Sequence, residues 1–382
     1  MSEQDFFTKQ ILTYMGNKRK YLEKIDEIIK LVKEELEEEN ISIGEGFSGS
    51  GIVSRLFKNR ATENYSEEIK SFYVNDISEY SKILNRCYLT STKNLSTDDI
   101  EELILHIKKM REFILKPVVE PFISKHWAPN DDDNIKTNER VYFTAENAKT
   151  IDNMLYYIHN YVEDKYKCFL FAPLIVQCSV HNNTNGQFSA FYKDEKGVGK
   201  FGGKKEIDLQ RILAPIILKK PVLSSSPCDV HISRMDTNEW IKNIPEVDLM
   251  YFDPPYNKHP YSIYFFMLDM INDWNTDIEI PDTNRGQPKN WFKSSYNSFT
   301  HAKKVFEDLI KHTKAKFILL SYNNGGIIPI PELEKILEKY GVLTKIPFQH
   351  KTYRKFQGIA AYKRKKEFSD VKEFLWLLDC RK

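Results

Sequence analysis

The run Asp248-Leu-Met-Tyr-Phe252 has the apolar density of a buried strand, and it stops at Asp253-Pro254-Pro255-Tyr256. Strands of that kind belong to sheets covered by helices, and open α/β sheets bind ligands where their strands end. The tetrapeptide therefore presents a carboxylate and an aromatic ring at a binding edge. Neither proline has an N–H and each fixes φ, so the carbonyls of Asp253 and Pro254 are held stiffly with no local donor competing for them. A carboxylate and a carbonyl side by side can each take one hydrogen from an exocyclic amino group, drawing the nitrogen lone pair out of conjugation. Tyr256 is then placed to stack on the ring that carries the amine. In isolation the same spelling also fits a proline-rich strand exit with a surface tyrosine.

Three further segments repeat the pattern of a strand ending in ligand-binding chemistry. Ile41-Ser-Ile-Gly-Glu-Gly-Phe47 reads as a strand that enters the turn Ser48-Gly49-Ser50-Gly51 and then a helix from Ile52. Glycines there let backbone approach a ligand, and the helix N-terminus favours a negative group. The spacing is not that of the dinucleotide GxGxxG turn. Ser71-Phe-Tyr-Val-Asn-Asp76 reads as the next strand, and Asp76 is either a ribose-hydroxyl acceptor or a cap for the helix Ser78 to Tyr88. Cys228-Asp-Val-His-Ile232 leads in the same way to Asp236 ahead of a helix from Thr237. A ligand lying across these ends meets Phe47, Gly49, Asp76, Asp236 and Asp253 together, as an adenosine-containing cofactor in a sheet cleft would.

The opening segment Leu12-Thr-Tyr-Met-Gly-Asn-Lys-Arg-Lys20 completes a resemblance. Its aromatic-x-Gly-x-Lys pattern (Tyr14, Gly16, Lys18), Phe47-Ser-Gly-Ser-Gly51 and Asp253-Pro-Pro-Tyr256 resemble the Dam-like DNA adenine-N6 methyltransferases, in the α arrangement where the cofactor motif precedes the catalytic one. Asn182-Asn-Thr-Asn-Gly-Gln-Phe188 is similar to a segment of that family's target-recognition region. Tyr264-Phe-Phe-Met-Leu268 and Leu320-Ser-Tyr-Asn-Asn-Gly325 look like its restriction-modification branch. The resemblance implies an α/β fold, a Rossmann-like sheet that binds S-adenosyl-L-methionine (AdoMet), with an inserted, mostly helical DNA target-recognition domain. It implies AdoMet contacts from Tyr14, Lys18, Phe47, Gly49, Gly51, Asp76 and Asp236. Asp253 and the Pro254 carbonyl would bind the adenine amine, with Pro255 stiffening the turn and Tyr256 stacking on a flipped base. One departure stands out: Gln187-Phe-Ser-Ala-Phe-Tyr192 lacks the Asn after Phe and the later Pro common in the family.

Domain organisation follows the break in strand-helix alternation. Residues 1–90 and 222–382 are expected to form the catalytic domain, and 91–221 the target-recognition insertion. Helices are expected at Asp98 to Leu115 and from Glu146 to Tyr161. Polar residues in this block, Asn183, Asn185 and Gln187, suit base edges, and Lys204 and Lys205 suit phosphates. Tyr322 is expected to assist Tyr256 in replacing lost stacking.

Charge and composition bound the remaining classes. Formal net charge is only +2, but Lys351 to Lys366 carries seven Lys/Arg, Arg354 and Lys355 among them, with no acid and with aromatics interleaved. Such a stretch suits a polyanion whose bases stack. Five cysteines without a CxxC pair argue against a disulfide framework or structural zinc, and no metal ligand set is expected. No targeting or membrane segment is visible, so a cytoplasmic protein on double-stranded DNA is expected, a monomer or weak dimer. A cognate restriction endonuclease would share its site without stable association. Two other classes remain open from the residues: an amine methyltransferase acting on cytosine N4, RNA or protein, and a non-catalytic DNA-binding specificity subunit.

Overall fold

The computed structural model describes residues 9–60, 71–226, 228–289, 292–346 and 372–381. In chain order, α1 (Leu22–Leu36) leads into β1 (Ile43–Glu45), α2 (Ile52–Arg60), β2 (Phe72–Asn75) and α3 (Glu79–Tyr88). A helical block follows, with α4 (Thr97–Phe113), α5 (Ile123–Trp127), α6 (Ala145–Tyr161), α7 (Asp164–Val180) and α8 (Leu209–Leu213). Strands resume with β3 (Val230–Ser233), α9 (Thr237–Asn243), β4 (Val247–Phe252), α10 (Tyr261–Asp273), α11 (Ala302–His312), β5 (Ala315–Asn323), α12 (Ile330–Leu337), β6 (Val342–Ile346) and β7 (Glu373–Asp379).

These strands make one seven-stranded sheet in the order β3-β2-β1-β4-β5-β7-β6. The first five run parallel and β7 runs antiparallel to both its neighbours. This is the expected Rossmann-like α/β architecture. Every residue of β4 is buried, as a central parallel strand covered on both faces requires. The period of two sorts β5 between two cores: Phe317 and Leu319 pack with α1 and α2, while Ile318, Leu320 and Tyr322 pack with α9, α11 and α12.

Chain order reverses between β1 and β4, which pair as Ile43 with Leu249 and Glu45 with Tyr251. A switch point of this kind opens a crevice beyond the strand ends, because the connections leave on opposite faces. The glycine turn and Asp253-Pro-Pro-Tyr256 flank that crevice from adjacent strands. The antiparallel course of β7 has a second consequence for the site. Its first residue, Glu373, pairs with Asn323 at the same sheet edge where the parallel strands finish.

The helical block packs onto the sheet's flank. Leu84 and Cys87 of α3 and Phe266 and Leu268 of α10 share one core with Leu103 and Ile107 of α4, Ile151 of α6 and Leu170 of α7. Helix α4 starts at a capping box in which Ser96 and Asp99 satisfy each other's backbone N–H groups. Among the described residues, no helix is long and apolar enough to cross a membrane.

Candidate active site

A cavity of about 360 Å³ lies beyond the ends of β1, β2, β3 and β4. Tyr14, Phe47, Gly49, Asp76, Asp236, Asp253 and Pro255 line it, so seven of the expected cofactor and catalytic positions converge. Gly49 holds φ at +52°, and a Cβ there would fall 2.9 Å from Tyr14 Cε1. Only glycine allows the tyrosine to close over the turn. Tyr14 is itself stacked on Phe265 at 4.6 Å between ring centroids, and its hydroxyl lies 3.2 Å from that of Tyr80.

Asp76 ties two of these elements together. Its Oδ2 accepts the Gly49 N–H at 2.8 Å and its Oδ1 the Ser78 N–H at 2.9 Å. Burial pushes its carboxyl above the ordinary value, against the pull of those donors. Asp236 caps α9, its Oδ1 accepting the Asn238 N–H at 3.0 Å, and stays exposed at the cavity wall. Asp236 thus combines a capping role with a place in the cleft, whereas Asp76 fastens the glycine turn to the residue that precedes α3. Phe47 meets Tyr296 edge-on at 5.4 Å, forming an aromatic corner beside Asp236. Gly51 is displaced from the cavity wall. Its φ of +70° serves the turn into α2, where a Cβ would meet Asn85 Oδ1 at 2.8 Å.

Beneath the cavity floor lies a charge cluster. Lys18, expected among the cofactor contacts, is almost fully buried, and its Nζ sits 3.0 Å from Asp253 Oδ2. The ammonium also donates to the Gly16 carbonyl at 3.0 Å and lies 3.7 Å from Glu373 Oε2. Three donors face three oxygens, so Lys18 is spent on Asp253, Glu373 and the Gly16 carbonyl and does not line the cavity. Asp253 Oδ1, in contrast, is buried with no hydrogen-bond partner among the described residues. Burial pushes the Asp253 carboxyl up to about 6, Lys18 opposing this and Glu373 adding to it. Lys18 is pulled down by burial, but Asp253 and Glu373 together hold it well above the usual lysine range.

Tyr256 stands edge-on to Tyr322 at 5.7 Å, and the Lys18 ammonium lies 5.6 Å from its ring centroid. Tyr322 is buried, its hydroxyl accepting the Ile328 N–H at 3.0 Å, so it supports Tyr256 from behind. Gly16 adopts φ +75° where a Cβ would lie 3.0 Å from the Tyr256 hydroxyl. The N-terminal segment is thereby wedged against the Asp253–Tyr256 turn.

The polar candidates of the helical block separate by burial. Asn183 is fully buried: its Nδ2 donates to the Val141 carbonyl at 2.9 Å and its Oδ1 accepts the Gly202 N–H at 3.0 Å. In this arrangement it pins a loop and presents nothing to a base edge. Gln187 is buried with Nε2 3.6 Å from Met15 Sδ, which packs the loop against the Tyr14 segment. Asn185 is half-buried. Lys204 and Lys205 are exposed, Lys204 paired with Glu195 at 2.8 Å. Arg354, Lys355 and the rest of their basic stretch lie outside the described residues. Two residues carry no motif in the sequence: Glu373, and Asp269 of α10, which lines the cavity and has a buried Oδ1 without a hydrogen-bond partner among the described residues. Burial and then Asp273 push Asp269 up to about 7. Its position one helix after the catalytic turn was the only available signal.

Residues 14–336 match the family profile described as D12 class N6 adenine-specific DNA methyltransferase. The chain belongs to this family. It is similar to the type II methyltransferase M.NlaIII of Neisseria lactamica, 28% identical over 339 residues that cover 87% of this chain and 89% of that protein. The modification methylase LlaI of Lactococcus lactis subsp. lactis is 24% identical over 361 residues, covering 90% of this chain and 51% of that protein. The type II methyltransferase M.FokI of Planomicrobium okeanokoites is 24% identical over 383 residues, 96% of this chain and 52% of that protein. The chain thus spans most of the first relative and about half the length of the other two. For a D12-class N6-adenine DNA methyltransferase the reacting atom is a base amine. A buried carboxylate oxygen without a partner suits such a donor.

Proposed function

We propose that this methyltransferase transfers a methyl group from AdoMet to the N6 amine of an adenine flipped out of duplex DNA, and that Asp253 Oδ1 is the acceptor that grips the amine. The free Oδ1 beside a Lys18-anchored Oδ2 is the observation that carries the reading. The cleft residues fit the cofactor: the Gly49 turn admits close backbone approach, Asp76 and Asp236 offer carboxylates for ribose and adenine, and Tyr14 and Phe47 supply aromatic walls. Lys18, expected there from its motif, acts through Asp253. AdoMet brings an electrophilic methyl group on a sulfonium.

The protein's task is then alignment and exclusion of water. Asp253 Oδ1 and the Pro254 carbonyl each accept one amine hydrogen, turning the nitrogen lone pair toward the methyl carbon. Tyr256, buttressed by Tyr322, covers the flipped base and offsets about 1–3 kcal/mol of lost stacking. Residues 91–221 read the target, with Asn185 near bases and Lys204 and Lys205 on phosphates, and Arg354 and Lys355 of the C-terminal basic stretch add phosphate contacts. Its setting is the cytoplasm, as the modification partner of a restriction system or as an orphan methylase, monomeric or weakly dimeric.

Labelled-methyl transfer into duplex DNA, followed by digestion to nucleosides, is expected to place the label on N6-methyladenine. Label on cytosine, or none in DNA, would sink the reading. The cofactor assignment has its own test. Gly49→Ala puts a Cβ against the Tyr14 ring at positive φ, a strain of about 1–3 kcal/mol. AdoMet affinity measured by calorimetry is expected to fall about tenfold or more, while an unchanged affinity would separate the turn from the cofactor.

A further inference from the structure

Glu373 belongs to none of the motifs in the sequence, yet the antiparallel pairing of β7 delivers it to the same sheet edge as Asp253. Its side chain is buried, and the hydroxyl of Tyr21, also buried, hydrogen-bonds it. Between Glu373 and Asp253 stands the Lys18 ammonium, 3.7 Å from one carboxylate and 3.0 Å from the other. One cation between two carboxylates leaves the cluster with a single net negative charge. A Lys18–Asp253 pair alone would be neutral.

We propose that Glu373 is a positioning residue for methyl transfer: it holds Lys18 against Asp253 and supplies the uncompensated negative charge that the reacting amine meets. This rests on Asp253 being the amine's acceptor. In the transfer, the amine lone pair forms the N–CH3 bond as the S–CH3 bond breaks. The electron pair of the broken bond stays on sulfur, so positive charge passes to the nitrogen, whose surplus proton is taken by Asp253 Oδ1, the acceptor already bonded to it, and leaves from there to water. A fixed negative charge in a buried site favours the arrival of positive charge and needs no reorganisation.

The charge balance depends on what else faces Asp253. Tyr21, Tyr251, Tyr256 and Tyr261 surround it, and burial holds all four hydroxyls above their ordinary value, so they stay neutral. Glu45 at the end of β1 is pushed up to about 8 by burial, Ser54 opposing, and is protonated where Asp253 titrates. Among the described residues, the Lys18 ammonium and, behind it, the Glu373 carboxylate are then the groups left to set the charge beside Asp253.

The test is Glu373→Gln, which keeps shape and removes charge. We expect kcat to fall about tenfold, a remote-charge effect smaller than loss of a direct contact. AdoMet affinity should not change. The acid limb of the kcat–pH profile should move to lower pH, because the carboxylate that raises Asp253 is gone. Glu373→Asp, which restores the charge, should return the limb toward its original position. An unmoved limb in Glu373→Gln, with or without reduced kcat or melting temperature, would overturn the proposal and leave Glu373 a packing residue. If the unmutated enzyme lacks an Asp253-dependent acid limb, the parent reading fails instead, so the two failures are distinguishable.

Discussion

Asp253→Asn is expected to lower methyl transfer by about 100- to 1,000-fold, the scale for losing one preorganised group at a reacting centre. The amide would set its own N–H donors against either the amine's hydrogens or the Lys18 ammonium, whichever way it turned. AdoMet binding, which relies on Gly49, Asp76 and the aromatic walls, should survive. Single-turnover transfer and calorimetric titration of the same variant check both halves. The unmutated enzyme carries the same information in its pH profile. Since the Asp253 carboxyl is raised to about 6, mainly by burial, the acceptor is charged above that pH and lost below it. Activity should drop about tenfold per pH unit on the acid side. A profile flat to pH 5 would argue that Asp253 is not the titrating acceptor.

Lys18→Met is expected to be damaging in two separable ways. Removing the cation leaves Asp253 and Glu373 facing each other in a buried site, and breaking such a pair from one side costs about 3–5 kcal/mol. Chemical denaturation at neutral pH measures that loss. The sign with pH follows from Lys18 being held above its usual range in the fold. Its stabilising contribution is complete below the unfolded lysine value, about 10.4, and fades only as pH rises through the higher folded value. Near neutrality the contribution is constant, and any change in the acid limb reports on Asp253. Without Lys18, which lowers Asp253, the limb should move up from about 6. That is opposite to the shift expected for Glu373→Gln. Two variants in one charge cluster thus move one titration in opposite directions, which general destabilisation does not produce.

Much of the site was legible because its residues end strands. An acid or glycine turn that follows a strand falls at the sheet edge, so the sequence itself brings Gly49, Asp76, Asp236 and Asp253 together, as the cavity lining does. What resisted reading had no local pattern. Helix α7 is apolar on all sides from Cys168 to Val176 and carries Pro173 inside it, so it lacks the 3.6-residue alternation that marks a surface helix. Asn183 looks like a loop residue available to DNA, and only the long-range bonds to Val141 and Gly202 reveal it as a loop fastener. Lys18 sits in a cofactor-like motif, but its partner lies 235 positions away in the chain. Glu373 carried no signal in sequence, since its place depends on the reversed direction of β7, the last of the seven strands in chain order.

The most direct measurement is a structure of the enzyme with a methyl-inert AdoMet analogue and duplex DNA. The flipped adenine's N6 is expected within about 3.2 Å of Asp253 Oδ1, the usual hydrogen-bond range, with Oδ2 still on Lys18. An adenine amine held by other groups, with Asp253 Oδ1 left unpartnered, would contradict it.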